Sequence, residues 1–530
     1  MKNSEELRQQ LRSINRKSYP AYKGLKGLYH FGNYILSIDH VQGDPFASPS
    51  HISIQISHRD AGFPVEYYKD TLTGTTLCDY LTRQFEKQVS QYSFRAKGSG
   101  KSGLLTVSHC GQEILSRTAC EITEKGITAR FFVGFPANGR TINATELEKI
   151  LFDFLPVCIQ KSFFYSSLNA KELQNYIELA EDQEFIRQTL PAKNLCAFIA
   201  DGSILPRESG ISSRPMKASV PFTSPDSLRI SINLPHKGKI TGMGIPKGIT
   251  LIVGGGYHGK STLLNALELG VYNHIPGDGR EYVITDATAV KLRSEDGRFI
   301  KDVDISMFIN DLPNKKDTRC FSTLDASGST SQAAGIVESM EAGSHLFLLD
   351  EDTSATNFMV RDAFMQQVIQ REKEPITPFL ERAEDLYKKA GISTILVAGS
   401  SGAFFHIADT IIQMDNYVPK DITASVKKLC SQYPLPAVSV TDFQLPHSHR
   451  IMSRPAESSK RLRHNSRGNH SDSGAAKPER LKTRISGTDG FSLGRQEIDL
   501  RYTEQLIDAE QTAALGLSLI HISEPTRLLS

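Results

Sequence analysis

Residues 249–264 read ITLIVGGGYHGKSTLL, and this stretch decides the fold. Its segment from Gly254 to Ser261, here called the phosphate loop, satisfies the pattern G-x-x-x-x-G-K-[ST]. The largely apolar stretch ITLIV precedes the loop and a helix-forming stretch follows it, which predicts a strand, a loop and a helix in that order. Glycines let backbone N–H groups converge on phosphate oxygens, and a helix N-terminus adds partial positive charge. The stretch therefore predicts a site for a polyphosphate.

The phosphate loop supplies most of the predicted ligand-binding residues. We expect Lys260 to reach the β- and γ-phosphates and Ser261 to ligate Mg²⁺. The predicted nucleotide-binding residues in this stretch are Gly254, Gly255, Gly256, Tyr257, His258, Gly259, Lys260, Ser261 and Thr262.

An acidic pair follows a second apolar run, His345–Asp352, which reads HLFLLDED. Four apolar residues that lead into carboxylates predict a buried strand ending at the carboxyl edge of a sheet, where open α/β sheets bind ligands. We expect Asp350 to hold Mg²⁺, directly or through water. We expect Glu351 to orient or deprotonate the attacking water.

A third motif, DASGSTSQ (325–332), precedes a helical stretch that leads directly into the acidic strand. A turn of small residues that opens a helix presents backbone donors and hydroxyl groups to an anion. Ser327, Gly328 and Ser329 are therefore further candidate nucleotide-binding residues, with an ordinary helix cap as the alternative.

The chain divides into three predicted regions. Residues 1–226 have a mixed α+β pattern, and residues 227–420 alternate short apolar strands (GITLIVG, EYVIT, HLFLLD and STILVAG) with helical segments, which is typical of a parallel sheet covered on both faces. Residues 421–530 contain a basic arm at 450–484, with ten basic and three acidic residues, and a predicted helix at 497–515. The last stretch, 517–530, fits no periodicity, and we exclude it from the predicted fold as an artefact.

Composition excludes several classes of protein. Lys and Arg number 61 against 59 Asp and Glu, so a nucleic-acid surface would have to come from local clustering. Seven scattered cysteines without a CxxC pair argue against a zinc ribbon and favour a reducing compartment, and we expect a cytoplasmic location. We find no apolar run near the roughly 18 residues that span a bilayer, and no secretory signal. We therefore expect no membrane partner.

A second glycine–lysine stretch, KGSGKS (97–102), is similar to the first but lacks a leading apolar strand. We interpret it as a turn between strands, with a secondary phosphate contact as the alternative. Arg207 and Arg214, in a stretch rich in Ser, Gly and Pro, are suited either to a phosphate or to a structural ion pair.

The order of phosphate loop, Ser-Gly-Ser turn and Leu-Leu-Asp-Glu resembles ABC-type ATPases. More narrowly, the chain resembles the predicted ATPases of the ABC class, a family that includes a mitochondrial RNA-editing-associated ATPase. The matching stretches are GGGYHGKSTLL, NHIPGDGREYVIT, DASGSTSQAA, LLDEDTSATNFM and FIADGSILPRESGISSRPM, and they cover most of residues 20–420.

The resemblance implies a P-loop NTPase fold of ABC type that uses ATP and Mg²⁺. It implies a head-to-tail homodimer in which Ser327, Gly328 and Ser329 act in trans and residues 353–357 link the two sites. This chain departs from the ABC pattern after the next strand, where ILVAGSSGAFF has Ser400 and Ser401 in place of a switch histidine. The candidate catalytic residues are accordingly Glu351, Lys260 and Ser400.

Three functions follow from these observations. The first is a Mg²⁺-dependent ATPase in which water attacks the γ-phosphate in line. The second is an RNA- or DNA-binding protein gated by nucleotide, which would use the basic arm and the basic N-terminal helix. A transporter subunit paired with a separate membrane chain is the third.

Overall fold

The computed structural model describes residues 1–361, 374–433, 442–446, 450 and 482–523. The predicted basic arm, 450–484, lies outside the described residues except for Arg450 and residues 482–484. Residues 524–530 of the excluded tail also lie outside them.

The N-terminal part combines six helices with a seven-stranded sheet of order β1-β2-β3-β4-β8-β5, in which β7 pairs with β8. Its helices are α1 (Ser4–Ile14), α2 (His58–Ala61), α3 (Thr71–Val89), α4 (Ala144–Glu148), α5 (Leu155–Phe163) and α6 (Ala170–Ala192). Its strands are β1 (Lys2–Asn3), β2 (Gly27–His30), β3 (Ile35–His40), β4 (Ser50–Ile56), β5 (Leu105–Thr106), β6 (Glu113–Ile114), β7 (Cys120–Thr123), β8 (Gly126–Val133), β9 (Ala137–Asn138) and β10 (Thr141–Ile142).

Alternation along the central strands places one face of this sheet in the core. Ile52 and Ile54 of β4 are buried opposite Phe131 and Ala129 of β8. The predicted N-terminal helix is confirmed as α1, with Leu7 and Leu11 buried. The 19-residue helix α3 forms although its sequence TLTGTTLCDYLTRQFEKQV carries several β-branched and aromatic residues, which are enriched in strands.

The middle part contains fifteen strands and six helices among the described residues. Its strands are β11 (Leu195–Ala200), β12 (Arg207–Ser209), β13 (Ser212–Pro215), β14 (Arg229–Leu234), β15 (Gly238–Pro246), β16 (Ile249–Val253), β17 (Asn273–His274), β18 (Val283–Thr285), β19 (Val290–Leu292), β20 (Arg298–Val303), β21 (Phe321–Ala326), β22 (Leu346–Asp350), β23 (Ser393–Val397), β24 (Thr410–Asp415) and β25 (Val418–Asp421). Its helices are α7 (Lys260–Leu269), α8 (Gly328–Glu341), α9 (Thr356–Met359), α10 (Phe379–Ala390), α11 (Phe404–Ile407) and α12 (Thr423–Cys430).

The central sheet has the order β19-β22-β23-β16-β24-β25, and its pairs are parallel except β24–β25. Strands β22 and β23 are buried at every position, which confirms the parallel sheet covered on both faces. The parallel register brings the carboxyl ends of β16, β22 and β23 to one edge.

One predicted strand belongs to another sheet. EYVIT forms β18, which pairs antiparallel with β11 in a four-stranded sheet of order β14-β15-β11-β18. Its placement in the parallel sheet was wrong because β18 bonds to Ala197, Phe198 and Ile199 rather than to a neighbour of β16. Strand β11 thus shares a sheet with strands beyond residue 226, and the domain boundary at 226 stays a prediction.

The C-terminal part is a three-stranded antiparallel sheet with one helix. It comprises β26 (Thr483–Ile485), β27 (Gly490–Leu493), β28 (Gln496–Asp499) and α13 (Ala509–Ser523). The predicted helix at 497–515 is confirmed only from Ala509 onward; its predicted start was wrong, since residues 496–499 pair with β27. Residues 517–523, which we excluded from the fold, continue this helix.

Candidate nucleotide-binding site

The phosphate loop joins β16 to α7, as the sequence predicts. Gly254 has φ +145°, and a β-carbon there would clash with the carbonyl oxygen of Met414. Gly259, which caps α7, has φ +97°. Both conformations belong to the region that favours glycine, so these two positions of the motif are fixed by backbone geometry.

Backbone donors of the loop remain available to a ligand. Within the described residues, no protein oxygen accepts a hydrogen bond from the N–H groups of Gly255 to Ser261. The ammonium group of Lys260 curls back over the loop and donates to the carbonyl oxygens of Gly254 (2.8 Å) and Gly255 (2.9 Å). A helix N-terminus with unpaired donors and an adjacent ammonium group has the chemistry of a polyphosphate site.

The turn between β24 and β25 supports the loop from one side. The imidazole Nδ1 of His258 accepts a hydrogen bond from the backbone N–H of Asn416 at 3.0 Å. The backbone N–H of Tyr417 donates to the carbonyl oxygen of His258 at 3.2 Å. These two hydrogen bonds of His258 hold the loop against the turn, a role that the motif alone did not reveal.

Asp350 ends β22 at the same edge of the sheet. Its side chain is buried, and its carboxylate accepts a hydrogen bond from the backbone N–H of Asp352 at 3.1 Å. Burial raises the pKa of Asp350, the charge of Asp352 adds to that effect, and the charges of Lys291 and Lys260 oppose it. A buried carboxylate of this kind fits Mg²⁺, because the ion is commonly bound by one or two carboxylates together with substrate phosphates.

Glu351 begins a short 3₁₀ turn, Glu351–Thr353, and reaches across to the end of β23. Its carboxylate accepts hydrogen bonds from the N–H of Gly399 (2.7 Å), the N–H of Ser400 (2.9 Å) and the hydroxyl of Ser400 (2.6 Å). Partial burial raises the pKa of Glu351, but these hydrogen bonds outweigh it, and the net pKa lies below the ordinary value. The structure thus joins two residues that the sequence predicted as catalytic.

The turn at Ser327–Ser329 begins α8 and stands apart from the loop. Ser327 is the N-terminal cap of α8, and its hydroxyl lies 2.9 Å from that of Thr330. Among the described residues, no hydrogen bond joins residues 327–329 to the phosphate loop. Their action on a second subunit stays a prediction.

Helix α8 is instead bonded to the loop that follows Asp350. The side-chain amide of Gln332 donates to the hydroxyl of Ser354 at 2.9 Å, and its oxygen accepts from the N–H of Ala355 at 3.0 Å. The sequence reasoning missed Gln332, although its position five residues after Ser327 in the helix that leads to the acidic strand was a usable signal.

Lys291 is a second residue that the sequence did not indicate. Its ammonium group lies 3.1 Å from Oε2 of Glu268 on α7 and also pairs with Glu504 of the C-terminal part. Arg293 pairs with the same Glu504. A lysine in a short strand carries no local signal, because both carboxylates come from distant segments.

The two connector arginines have different surroundings. Arg207 pairs with the buried Asp278 at 2.8 Å, which confirms the structural ion pair. Arg214 is exposed, and the described part of the chain shows no ion pair for it.

Comparison with known proteins places this site in a family. Residues 169–448 match the P-loop domain of the ABC_ATPase family. Residues 4–166 match the N-terminal family model of the ATPases of the ABC class. The chain belongs to the ABC-class ATPases. Residues 482–529 of this ABC-class protein also match the MRB1590 C-terminal domain.

Relatives and solved structures are more distant. An uncharacterized protein of Methanocaldococcus jannaschii is 31% identical over 266 residues, which are 48% of this chain and 58% of that protein. An ATP-binding cassette of an ABC transporter in its ADP conformation is 13% identical, with 37% of this chain and 88% of that chain covered and a TM-score of 0.25. A protein of Clostridium perfringens that is part of an ABC transporter complex is 13% identical, with 36% of this chain and 86% of that chain covered and a TM-score of 0.23. We infer nothing about function from structural similarities with TM-scores this low.

Among the described residues, no helix combines the length and the apolar character that crossing a bilayer requires.

Proposed function

We propose that this chain binds ATP with Mg²⁺ and hydrolyses it at the site formed by the phosphate loop and the acidic pair. One observation carries the proposal: the free backbone donors of the loop, the buried Asp350 and the hydrogen-bonded Glu351 all lie at the carboxyl edge of one parallel sheet. This is the edge at which open α/β sheets bind ligands.

Each residue has a defined task in this reaction. The N–H groups of the loop and Lys260 bind the phosphate oxygens, and Ser261 and Asp350 are suited to hold Mg²⁺, which would neutralise charge on the phosphates. Glu351 orients a water molecule whose oxygen bonds to the γ-phosphorus while the bond to the bridging β,γ-oxygen breaks. The water proton passes to Glu351, and ADP and phosphate leave.

Ser400 acts on Glu351 rather than on the nucleotide in this proposal. Its hydroxyl and the two N–H groups at 399 and 400 fix the carboxylate and keep it ionised, as a general base requires. Ser400 is therefore a positioning residue at the place where the resemblance leads one to expect a histidine.

A head-to-tail dimer completes the proposed site. Ser327, Gly328 and Ser329 would meet the phosphates of the partner, and Gln332 would couple this turn to residues 354 and 355. Glu351→Gln should trap the dimer, since it binds ATP and cannot release it by hydrolysis. Light scattering of this variant with MgATP, with ADP and without nucleotide measures the mass; a monomer in all three conditions would contradict the dimer.

The deciding experiment for the main proposal uses the purified full chain. Calorimetry should detect ATP binding in the presence of Mg²⁺, and phosphate release should accompany it. No binding heat with adenine nucleotides would refute the proposal, and binding without release would reduce it to a nucleotide-binding protein.

Nucleotide-gated binding of RNA or DNA is the second proposal, and the charge of residues 450–484 favours it. Three arginines are less available: Arg8 and Arg12 of α1 pair with Glu148, and Arg450, the first residue of the arm, pairs with Glu338 and Glu341. Filter binding across a salt series, with and without residues 447–486, tests the arm, because phosphate contacts make affinity steeply salt-dependent. An unchanged affinity and salt slope after the deletion would refute it.

A further inference from the structure

An aromatic side chain lies against the phosphate loop from the β24–β25 turn. Strand β24 is parallel to β16, so the turn at Asn416 and Tyr417 lies at the same edge of the sheet as the loop. The ring of Tyr417 contacts the loop at Gly259, where a β-carbon would lie 3.1 Å from its Cδ1 atom. A larger residue at Gly259 would push this ring away.

Tyr417 occupies a backbone conformation that its residue type disfavours. Its φ is +70°, next to Asn416 at +48°, as in a turn of type I′. Glycine, Asn or Asp are the usual residues there, and an aromatic residue with positive φ is uncommon. Its side chain nevertheless stays 54% exposed, and its hydroxyl makes no hydrogen bond within the described residues. The contact with Gly259 therefore covers only part of the ring, and about half of the side chain faces solvent.

The position of the acidic pair fixes the direction of a bound nucleotide. Asp350 and Glu351 follow β22, which lies on one side of β16 beyond β23, whereas β24 and β25 lie on the other side. If the γ-phosphate faces the carboxylates, the nucleoside end leaves the loop towards β24. Tyr417 lies on that side of the phosphate loop.

An open cleft of about 460 Å³ begins at Val418, the residue after Tyr417. Residues 223–227 and Arg229 form one wall, and Val418–Asp421, directly after Tyr417, form the other. Small-molecule sites have volumes of roughly 300–1,000 Å³. None of the residues that line this cleft is aromatic, and the ring of Tyr417 is next in the chain to its lining residue Val418.

We propose that Tyr417 is the base-stacking residue of the nucleotide site and that the base rests on its ring beside the cleft. The proposal rests on the proposed nucleotide binding and adds a contact that recognises the base instead of the phosphates. Stacking tolerates different bases, because every base presents a π-face, so the ligand class is a nucleoside triphosphate.

Calorimetry of the full chain with two ligands, MgATP and magnesium tripolyphosphate, separates the base from the phosphates. Tyr417→Ala and Tyr417→Asn should each weaken ATP binding about tenfold, and neither should change binding of tripolyphosphate. Asn tolerates positive φ, so the Asn variant guards against a loss caused by the turn. Tyr417→Phe keeps the ring and should bind ATP as the unaltered chain does. Tyr433→Ala, which removes an exposed tyrosine elsewhere, is the matched control.

The opposing outcomes are distinct. Equal weakening of both ligands would assign Tyr417 to support of the loop and overturn the stacking contact, as would unchanged ATP affinity in both ring-less variants. Tyr257, which is 99% exposed in the loop itself, provides a competing aromatic surface. An ATP-specific loss in Tyr257→Ala, with none in the Tyr417 variants, would transfer the role to Tyr257. Failure of the unaltered chain to bind either ligand would refute the proposed function itself.

Discussion

Two glycine–lysine loops of this chain have similar sequences and different surroundings. In GGGYHGKS (254–261) the backbone N–H groups from Gly255 onward have no protein acceptor within the described residues, and a ten-residue helix follows. In KGSGKS (97–102) the N–H of Ser99 donates to Ala137 (2.7 Å) and that of Lys101 to Pro45 (2.8 Å), and a short strand follows. A phosphate site thus depends on donors that the fold leaves unpaired, which a pattern of glycine and lysine does not guarantee.

The largest contrast is expected from removing the lysine of each loop. Lys260→Ala should lower kcat/KM for ATP by roughly 10⁴, since a charged contact to the phosphates and its stabilisation of the transition state are both lost. Lys101→Ala should leave it unchanged, because Lys101 holds its loop through its backbone. Steady-state phosphate release from both variants measures the difference. Equal losses would show that the second loop also contacts nucleotide.

The acidic partner of the first loop gives the next contrast. Glu351→Gln should lower kcat by roughly 10²–10⁴, the usual contribution of a general base, and leave ATP affinity nearly unchanged. Glu121→Gln, on β7 of the sheet whose strand β5 follows the second loop, serves as the matched control because Glu121 is exposed and pairs with Arg130 at the surface. Phosphate release and calorimetry are measured on both. Full turnover in the Glu351 variant would remove this residue from the chemistry.

The core of the site could be predicted from sequence because its determinants are local. The apolar strand, the glycines and the helix after them lie within 25 residues of one another. The apolar residues that precede Asp350 predict both a buried strand and its acidic end. Confirmation of β16, α7, β22 and β23 follows from that locality.

The remainder depends on pairings between distant segments. Lys291 meets Glu504 across 213 residues, and β18 joins β11 instead of the parallel sheet. The sequence VIT of β18 suits either sheet, so only the available partner decides its placement. The ring of Tyr417 on Gly259 is another such contact, because the two residues are 158 positions apart.

A substitution beside the second loop should lower the stability of the protein without changing its binding of ATP. A β-carbon at Gly134 would clash with the carbonyl oxygen of Lys101, so Gly134→Ala should lower the free energy of unfolding by about 2 kcal/mol. ATP affinity should not change. Gly139→Ala is the control for a glycine with open space, although its φ of +60° adds a smaller strain. Urea unfolding of both variants measures the difference, and an unaffected Gly134 variant would mean that the second loop is not packed as described.

The smallest expected effect concerns the pH dependence of turnover. Hydrogen bonds from Ser400 and Gly399 hold the pKa of Glu351 below its ordinary value. The base therefore stays ionised to lower pH, and we expect turnover to fall on the acid side, the acid limb of the rate profile, only below the ordinary pKa of a glutamate. Ser400→Ala removes the hydroxyl donor but keeps both N–H donors, so the pKa of Glu351 should rise and the acid limb should move to higher pH with only a small loss of kcat at neutral pH. Ser401→Ala, whose side chain makes no hydrogen bond to Glu351, should leave the limb in place. If Ser400→Ala instead lowered kcat equally at every pH, Ser400 would orient Glu351 without setting its ionisation, and the serine would take over only the geometric part of the role expected of a histidine.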